Sequence, residues 1–201
     1  MGETFKEQTG RFSSIVLLKP AITERILKGL KWPEPDKLKD WDITPKDQLH
    51  ITLSQHGPVE DKQLPKLKKI YRQVALRHQP IDTARLHLGN NFGNSGQYTS
   101  KGTPYIFTLH LDPESHFNLT EYWMDLDKSL GKKFNKGRSD RFMHITVARI
   151  PAEQKEEALK FIRENKDYIS EPISLTPGLY AHTKTAGERG YQLVENFLLG
   201  P

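Results

Sequence analysis

The chain contains no cysteine among its 201 residues, which excludes a disulfide framework, a thiolate-held metal and a cysteine nucleophile. No segment approaches the roughly 20 consecutive apolar residues needed to span a bilayer. The amino-terminal stretch MGETFKEQTGRF is polar where a secretory leader would be apolar. A cytoplasmic, non-membrane location is the resulting expectation. There is no HExxH pattern, so no metal and no other cofactor is expected. Charge of one sign is only slightly in excess: 30 Lys and Arg against 25 Asp and Glu give a net charge of +5. That balance favours a polyanionic partner without specifying one.

What is present is ordinary core material arranged with two kinds of period. FSSIVLLK, ending before Pro20, reads as a strand, and AITERILKGL follows as a helix with Ile22, Ile26, Leu27 and Leu30 on one face. Residues 31–47 carry three prolines and read as a surface connection. A helix is expected over 61–77, with Leu64, Leu67, Ile70, Tyr71 and Val74 at helical spacing. IDTARLHL and YIFTLHLD read as strands on either side of the turn-rich segment GNNFGNSGQYTSKGTP. Further helices are expected over 118–134, opened by an Asn118–Glu121 capping box, and over 152–166. The tail supplies two more strands, ISLTPGLYAH and GYQLVENFLL. Interleaved strands and helices with hairpin ends indicate an α+β fold.

Two of these strands carry the same unusual polar pattern. In LHITL, His50 and Thr52 share one face while Leu49, Ile51 and Leu53 take the other; in MHITV, His144 and Thr146 oppose Met143, Ile145 and Val147. With 8 His and 14 Thr in 201 residues, chance alone gives about 0.6 His-x-Thr triplets. The shared central Ile and apolar flanks set these two apart. Brought together, two imidazoles and two hydroxyls suit phosphodiester chemistry. One neutral His takes a proton from the attacking group, the other gives one to the leaving oxygen, and the Thr hydroxyls donate to phosphate oxygens. Which histidine plays which part is not written in the sequence.

These paired motifs, 94 positions apart between His50 and His144, resemble the 2H phosphoesterase superfamily, which is defined by two His-x-Thr/Ser motifs. ITPKDQLHITLSQHG and MHITVAR are similar to the motif surroundings in its LigT-like branch (RNA 2',3'-cyclic phosphodiesterase, "2'-5' RNA ligase"). The ending LYAHTKTAGERGYQLVENFLL resembles that branch's closing hairpin. The chain departs from the branch at Gln55 and His56, where an apolar pair is usual, and at His182, where serine is common. The resemblance implies a bilobal α+β fold over residues 1–201, with two antiparallel-rich sheets, outer helices and approximate internal two-fold symmetry around a central groove. It implies metal-independent attack on a 2',3'-cyclic phosphate or 2'-5' linkage, with His50, Thr52, His144 and Thr146 as the catalytic set.

Four further residues are candidates for holding an RNA or small nucleotide substrate in what is expected to be a monomer. Arg149 can offer phosphate a bidentate donor, although strict alternation places it on the apolar side with Ile145 and Val147. Tyr180 occupies the Leu-Tyr position of the resembling hairpin, and a satisfied core tyrosine is the competing reading. Phe92 and Tyr98 lie in the glycine-rich segment, where exposed rings would stack on bases. Two other functions fit the same motifs: hydrolysis of a cyclic or 2'-5' oligonucleotide messenger, and a non-catalytic RNA-binding module.

Overall fold

The computed structural model describes residues 9–88, 105–134, 143–185 and 188–200. In chain order it runs β1 (Thr9–Leu17), α1 (Pro20–Gly29), β2 (Asp42–Ile43), β3 (His50–Glu60), α2 (Leu64–Ala75), β4 (Ile81–Ala84), β5 (Leu86–Leu88), β6 (Tyr105–Leu111) and α3 (Pro113–Phe134). It continues through β7 (His144–Ile150), α4 (Lys155–Asn165), β8 (Ile173–Leu175), β9 (Gly178–Thr185) and β10 (Glu188–Asn196). The architecture is α+β, with antiparallel pairing throughout. No described helix is long and apolar enough to cross a membrane.

Eight strands form one hydrogen-bonded series in the order β10-β9-β1-β3-β7-β6-β5, with β2 attached to β7. β4 and β8 form a separate two-stranded sheet, so the two expected sheets are not seen as such, and the eight-stranded series has two halves of its own. They meet where β3 pairs with β7 at a single register pair, Ile51 with Ile145. Beyond it β3 turns away, and β2 takes over the same edge of β7, pairing Asp42 with Arg149 and Ile43 with Ala148.

One face of the series carries the core. Ile51, Leu53, Ile145, Val147, Phe107 and Leu109 are buried there. On α4, Phe161 touches Trp32, Trp41 and Phe107 at ring-centroid distances of 5.0, 5.4 and 4.5 Å. Truncating such a fully enclosed ring costs about 3–5 kcal/mol. Beside it α2 and α3 bring Tyr71 and Tyr122, both fully buried. α2, α3 and α4 therefore leave the opposite, polar face of β3 and β7 uncovered by core packing.

Several boundaries differ from the sequence reading, each for a local reason. α3 begins at Pro113 rather than Asn118 because Asp112 is the better cap: its carboxylate accepts the Ser115 N–H at 3.0 Å, and Pro113 takes the first turn. IDTARLHL is two strands, broken at Arg85, where the chain leaves β8 for β6 and the Arg85 N–H turns to the Asp112 carboxylate at 2.7 Å. ISLTPGLYAH is likewise two strands separated by Thr176 and Pro177. The connection 31–47 contributes β2, too short for any period to reveal.

Candidate active site

The antiparallel register at Ile51 and Ile145 brings His50 toward Thr146 and Thr52 toward His144 on the uncovered face. All four are partly exposed, while the intervening Ile51 and Ile145 are fully buried. The expected quartet thus lines one cleft of about 600 Å³, together with Asp42, Thr44, Pro45, Gln48, Arg149 and Tyr191.

Arg149 reaches this cleft because β7 does not alternate strictly. Phe107 pairs with Ala148 and Thr108 with Thr146, so Val147 is an extra residue and β7 bulges there. Val147 and Ala148 both point to the core, and Arg149 returns to the side of His144 and Thr146. Its guanidinium donates to the Asp42 carboxylate at 3.2 Å across β2. The first motif repeats the device at the same offset. Ile15 pairs with Thr52 and Ser14 with Ser54, making Leu53 the extra residue and turning Gln55 outward.

The protonation geometry of His50 is fixed by its own strand entry. Its Nδ1–H donates to the Gln48 carbonyl at 2.7 Å, so the neutral ring presents the Nε2 lone pair to the cleft. Burial lowers the pKa of His50 from the ordinary imidazole value; the Gln48 carbonyl opposes that, and the nearby basic side chains of His144, His182 and Arg149 add to it. The ring is therefore held neutral at neutral pH.

Tyr191 faces that lone pair, its hydroxyl donating to Nε2 at a long 3.4 Å with ring centroids 4.8 Å apart. By strand order Tyr191 lies three strands from His50, and in a flat sheet it would stand level with Pro58 at the far end of β3 rather than with His50. They meet because β1 and β9 stop pairing at Phe12 and Ala181, after which the hairpin leaves β1 and folds across the front. His182, two residues from Tyr180 on β9, packs edge-on against Tyr191 at 5.4 Å and shares a 2.6 Å hydrogen bond with the Ser13 hydroxyl.

Tyr180 is not brought to the cleft. It is 4% exposed, its ring lies where a Cβ on Gly178 would come within 2.6 Å of it, and its hydroxyl donates to Asn196 at 3.5 Å. It lies against Gly178 and Asn196 within the hairpin, away from the cleft that its expected binding role would need. Phe92 and Tyr98 lie outside the described residues. Sequence reasoning gave no role to Tyr191, Gln48 or Asp42. For Tyr191 the available signal was the second tyrosine of the resembling hairpin; Gln48 acts through its backbone, which no residue type announces. Among the described residues no group of three or more His, Asp or Glu is placed to hold a metal ion.

No protein-family model and no curated protein matches the chain. Its backbone nevertheless superposes along nearly its whole length on solved structures. Escherichia coli LigT complexed with 3'-AMP matches at a TM-score of 0.62 and 16% identity, covering 96% of this chain and 99% of LigT. The chain has the LigT fold. The protein TT0787 of Thermus thermophilus shares it at a TM-score of 0.65 and 19% identity, covering 94% and 97% of the two chains. A structure described as a phosphoesterase matches at 0.63 and 17% identity, covering 96% of this chain and all of the other. LigT itself has also been crystallised with NADP+, ATP and phosphate.

Proposed function

We propose that this chain is a metal-independent phosphodiesterase of the 2H type, acting on 2',3'-cyclic phosphate or 2'-5' linked ends of RNA or small nucleotides. The observation that carries the reading is the convergence of both His-x-Thr pairs on one cleft, with the His50 ring oriented by the Gln48 carbonyl so that Nε2 faces the cleft and with burial favouring its neutral form. The LigT fold, and the nucleotides crystallised with LigT, support the same substrate class.

In this mechanism His50 Nε2 takes a proton from the attacking water as its oxygen bonds to phosphorus. His144 gives a proton to the ribose oxygen as its bond to phosphorus breaks. The Thr52 and Thr146 hydroxyls donate to the non-bridging oxygens, and Arg149 balances their charge. Proton exchange with solvent then resets both imidazoles. Each half of the strand series supplies one His-x-Thr pair, so the whole chain acts as one bilobal catalytic unit; one copy holds the full quartet, so it acts as a monomer.

The test is turnover of a 2',3'-cyclic nucleotide and a 2'-5' linked dinucleotide in excess EDTA, by the parent, His50→Ala and His144→Ala. Turnover by the parent with a roughly 10²–10⁴-fold loss in each variant is expected. Activity abolished by EDTA would overturn the metal-independent mechanism. Salt-sensitive RNA binding with no turnover would instead make the site a binding module.

A further inference from the structure

The strand on the far side of the second motif carries the same two residue types in reverse order. On β6, Thr108 pairs with Thr146 and His110 pairs with His144. Because β6 runs antiparallel to β7, Thr-Leu-His on one strand matches His-Ile-Thr on the other, rung for rung. The polar face therefore presents Thr52, His144 and His110 along one row and His50, Thr146 and Thr108 along the next. The His110 and His144 rings lie 6.3 Å apart and inclined by only 30°. Nothing in the quartet's chemistry requires the extra pair.

From this juxtaposition we propose that Thr108 and His110 form a second anion subsite beside the catalytic quartet, holding the phosphate next along the substrate chain. The inference rests on reading the quartet as a phosphodiester site. It deepens that reading by favouring a substrate with at least two phosphates over a lone cyclic mononucleotide.

Three observations support an anion rather than a solvated strand face. First, both side chains are partly exposed and 3.1 Å apart, His110 Nε2 to Thr108 Oγ1. With the proton on Nε2, the imidazole donates to the Thr108 oxygen and leaves the hydroxyl proton free for a ligand, the donor that Thr146 offers one strand away. Second, the ionisable groups acting on His110 are all bases: burial, then His144, His87 and His116, push it down to about 4. An anion at this place would favour the protonated ring that burial and these neighbours disfavour. Third, the carboxylate two residues along the same face, Asp112, is engaged by the Arg85 and Ser115 backbone N–H groups at 2.7 and 3.0 Å. His87, the last imidazole of the row, lies with its ring nitrogens 3.0 and 3.1 Å from the Leu88 and Leu111 carbonyls.

The test compares calorimetric binding of adenosine 3'-phosphate, adenosine 3',5'-bisphosphate and the dinucleotide ApAp to the parent, Thr108→Val and His110→Gln. The second phosphate should tighten binding to the parent by about tenfold, the worth of a hydrogen bond to a charged group. In both variants the ratio of the affinities should fall toward one; a ratio cancels any general loss of folded protein. A gain with the bisphosphate identifies a terminal phosphate as the ligand, and a gain with ApAp alone an internal diester. Equal affinity of the parent for all three, or a ratio unchanged in both variants, overturns the subsite and leaves the quartet untouched. Failure of the parent to bind any of the three overturns the phosphodiester reading and the subsite with it.

Discussion

Acid should loosen this protein through a histidine that takes no part in the chemistry. His56, on the core side of β3, is 6% exposed; its Nδ1–H donates to the Phe134 carbonyl at 3.1 Å, and its Nε2 accepts from the Tyr71 hydroxyl. Burial pushes its pKa down to about 4, from an ordinary value of about 6.5 that it regains on unfolding. Between those values the unfolded chain binds a proton that the folded chain refuses, so stability is full above about pH 6.5 and falls as pH drops toward 4. At about 1.4 kcal/mol per pH unit the complete loss is about 3 kcal/mol, of which about 2 is gone by pH 5. Total stabilities run to only about 5–15 kcal/mol. The assay is urea unfolding at pH 7.5 and pH 5 for the parent and for the pair His56→Leu with Tyr71→Phe. Removing imidazole and hydroxyl together leaves neither partner as a buried orphan. His50 and the less buried His110 are lowered in the same direction and remain in both proteins. The parent should therefore lose about 2 kcal/mol more than the double variant between the two pH values. Parallel losses would refute the assignment of the acid sensitivity to His56.

Two further outcomes follow from the cleft. Tyr191→Phe removes a donor to neutral His50, so the His50 pKa should rise and the ascending limb of kcat/KM should move to higher pH; an NMR titration of His50 that does not move would refute the contact. Arg149→Lys keeps the charge but loses the planar fork and the Asp42 contact, and should lower kcat/KM by about tenfold; an unchanged kcat/KM would remove Arg149 from phosphate binding.

The α+β class and the quartet were legible in the sequence because each depends on short-range periodicity. His50 and Thr52 must share a face once LHITL is extended, and the buried Ile51 and Ile145 then dictate which face it is. Features made by contact between distant segments were not legible. Asp42 and Ile43 form a strand only because β7 has an edge that β3 abandons. Asp112 captures the start of α3 from the Asn118–Glu121 pattern because a carboxylate followed by proline caps better. Tyr180 and Tyr191 lie on the same hairpin, and the sequence singled out only Tyr180. What separates them is the point at which the hairpin leaves β1: Tyr180 precedes it and is packed, and Tyr191 lies beyond it and reaches His50.

Arg149 shows most directly why alternation alone misleads at a functional strand. One inserted residue, Val147, reverses every later side chain on β7, and Leu53 does the same on β3. Both insertions fall immediately after the threonine of a motif, so the two strands deliver equivalent positions, Gln55 and Arg149, to the exposed side. A bulge places two consecutive residues against the core, which is why apolar Val147 and Ala148 follow Thr146 and Leu53 and Ser54 follow Thr52. The fold thus constrains a pattern of buried positions rather than particular residues, and 16% identity to LigT suffices to keep it. The exposed positions flanking the quartet are under no such constraint. Under the proposed function, substrate preference would be set by what occupies them, here Gln55 on β3, Thr108 and His110 on β6, and His182 against Tyr191.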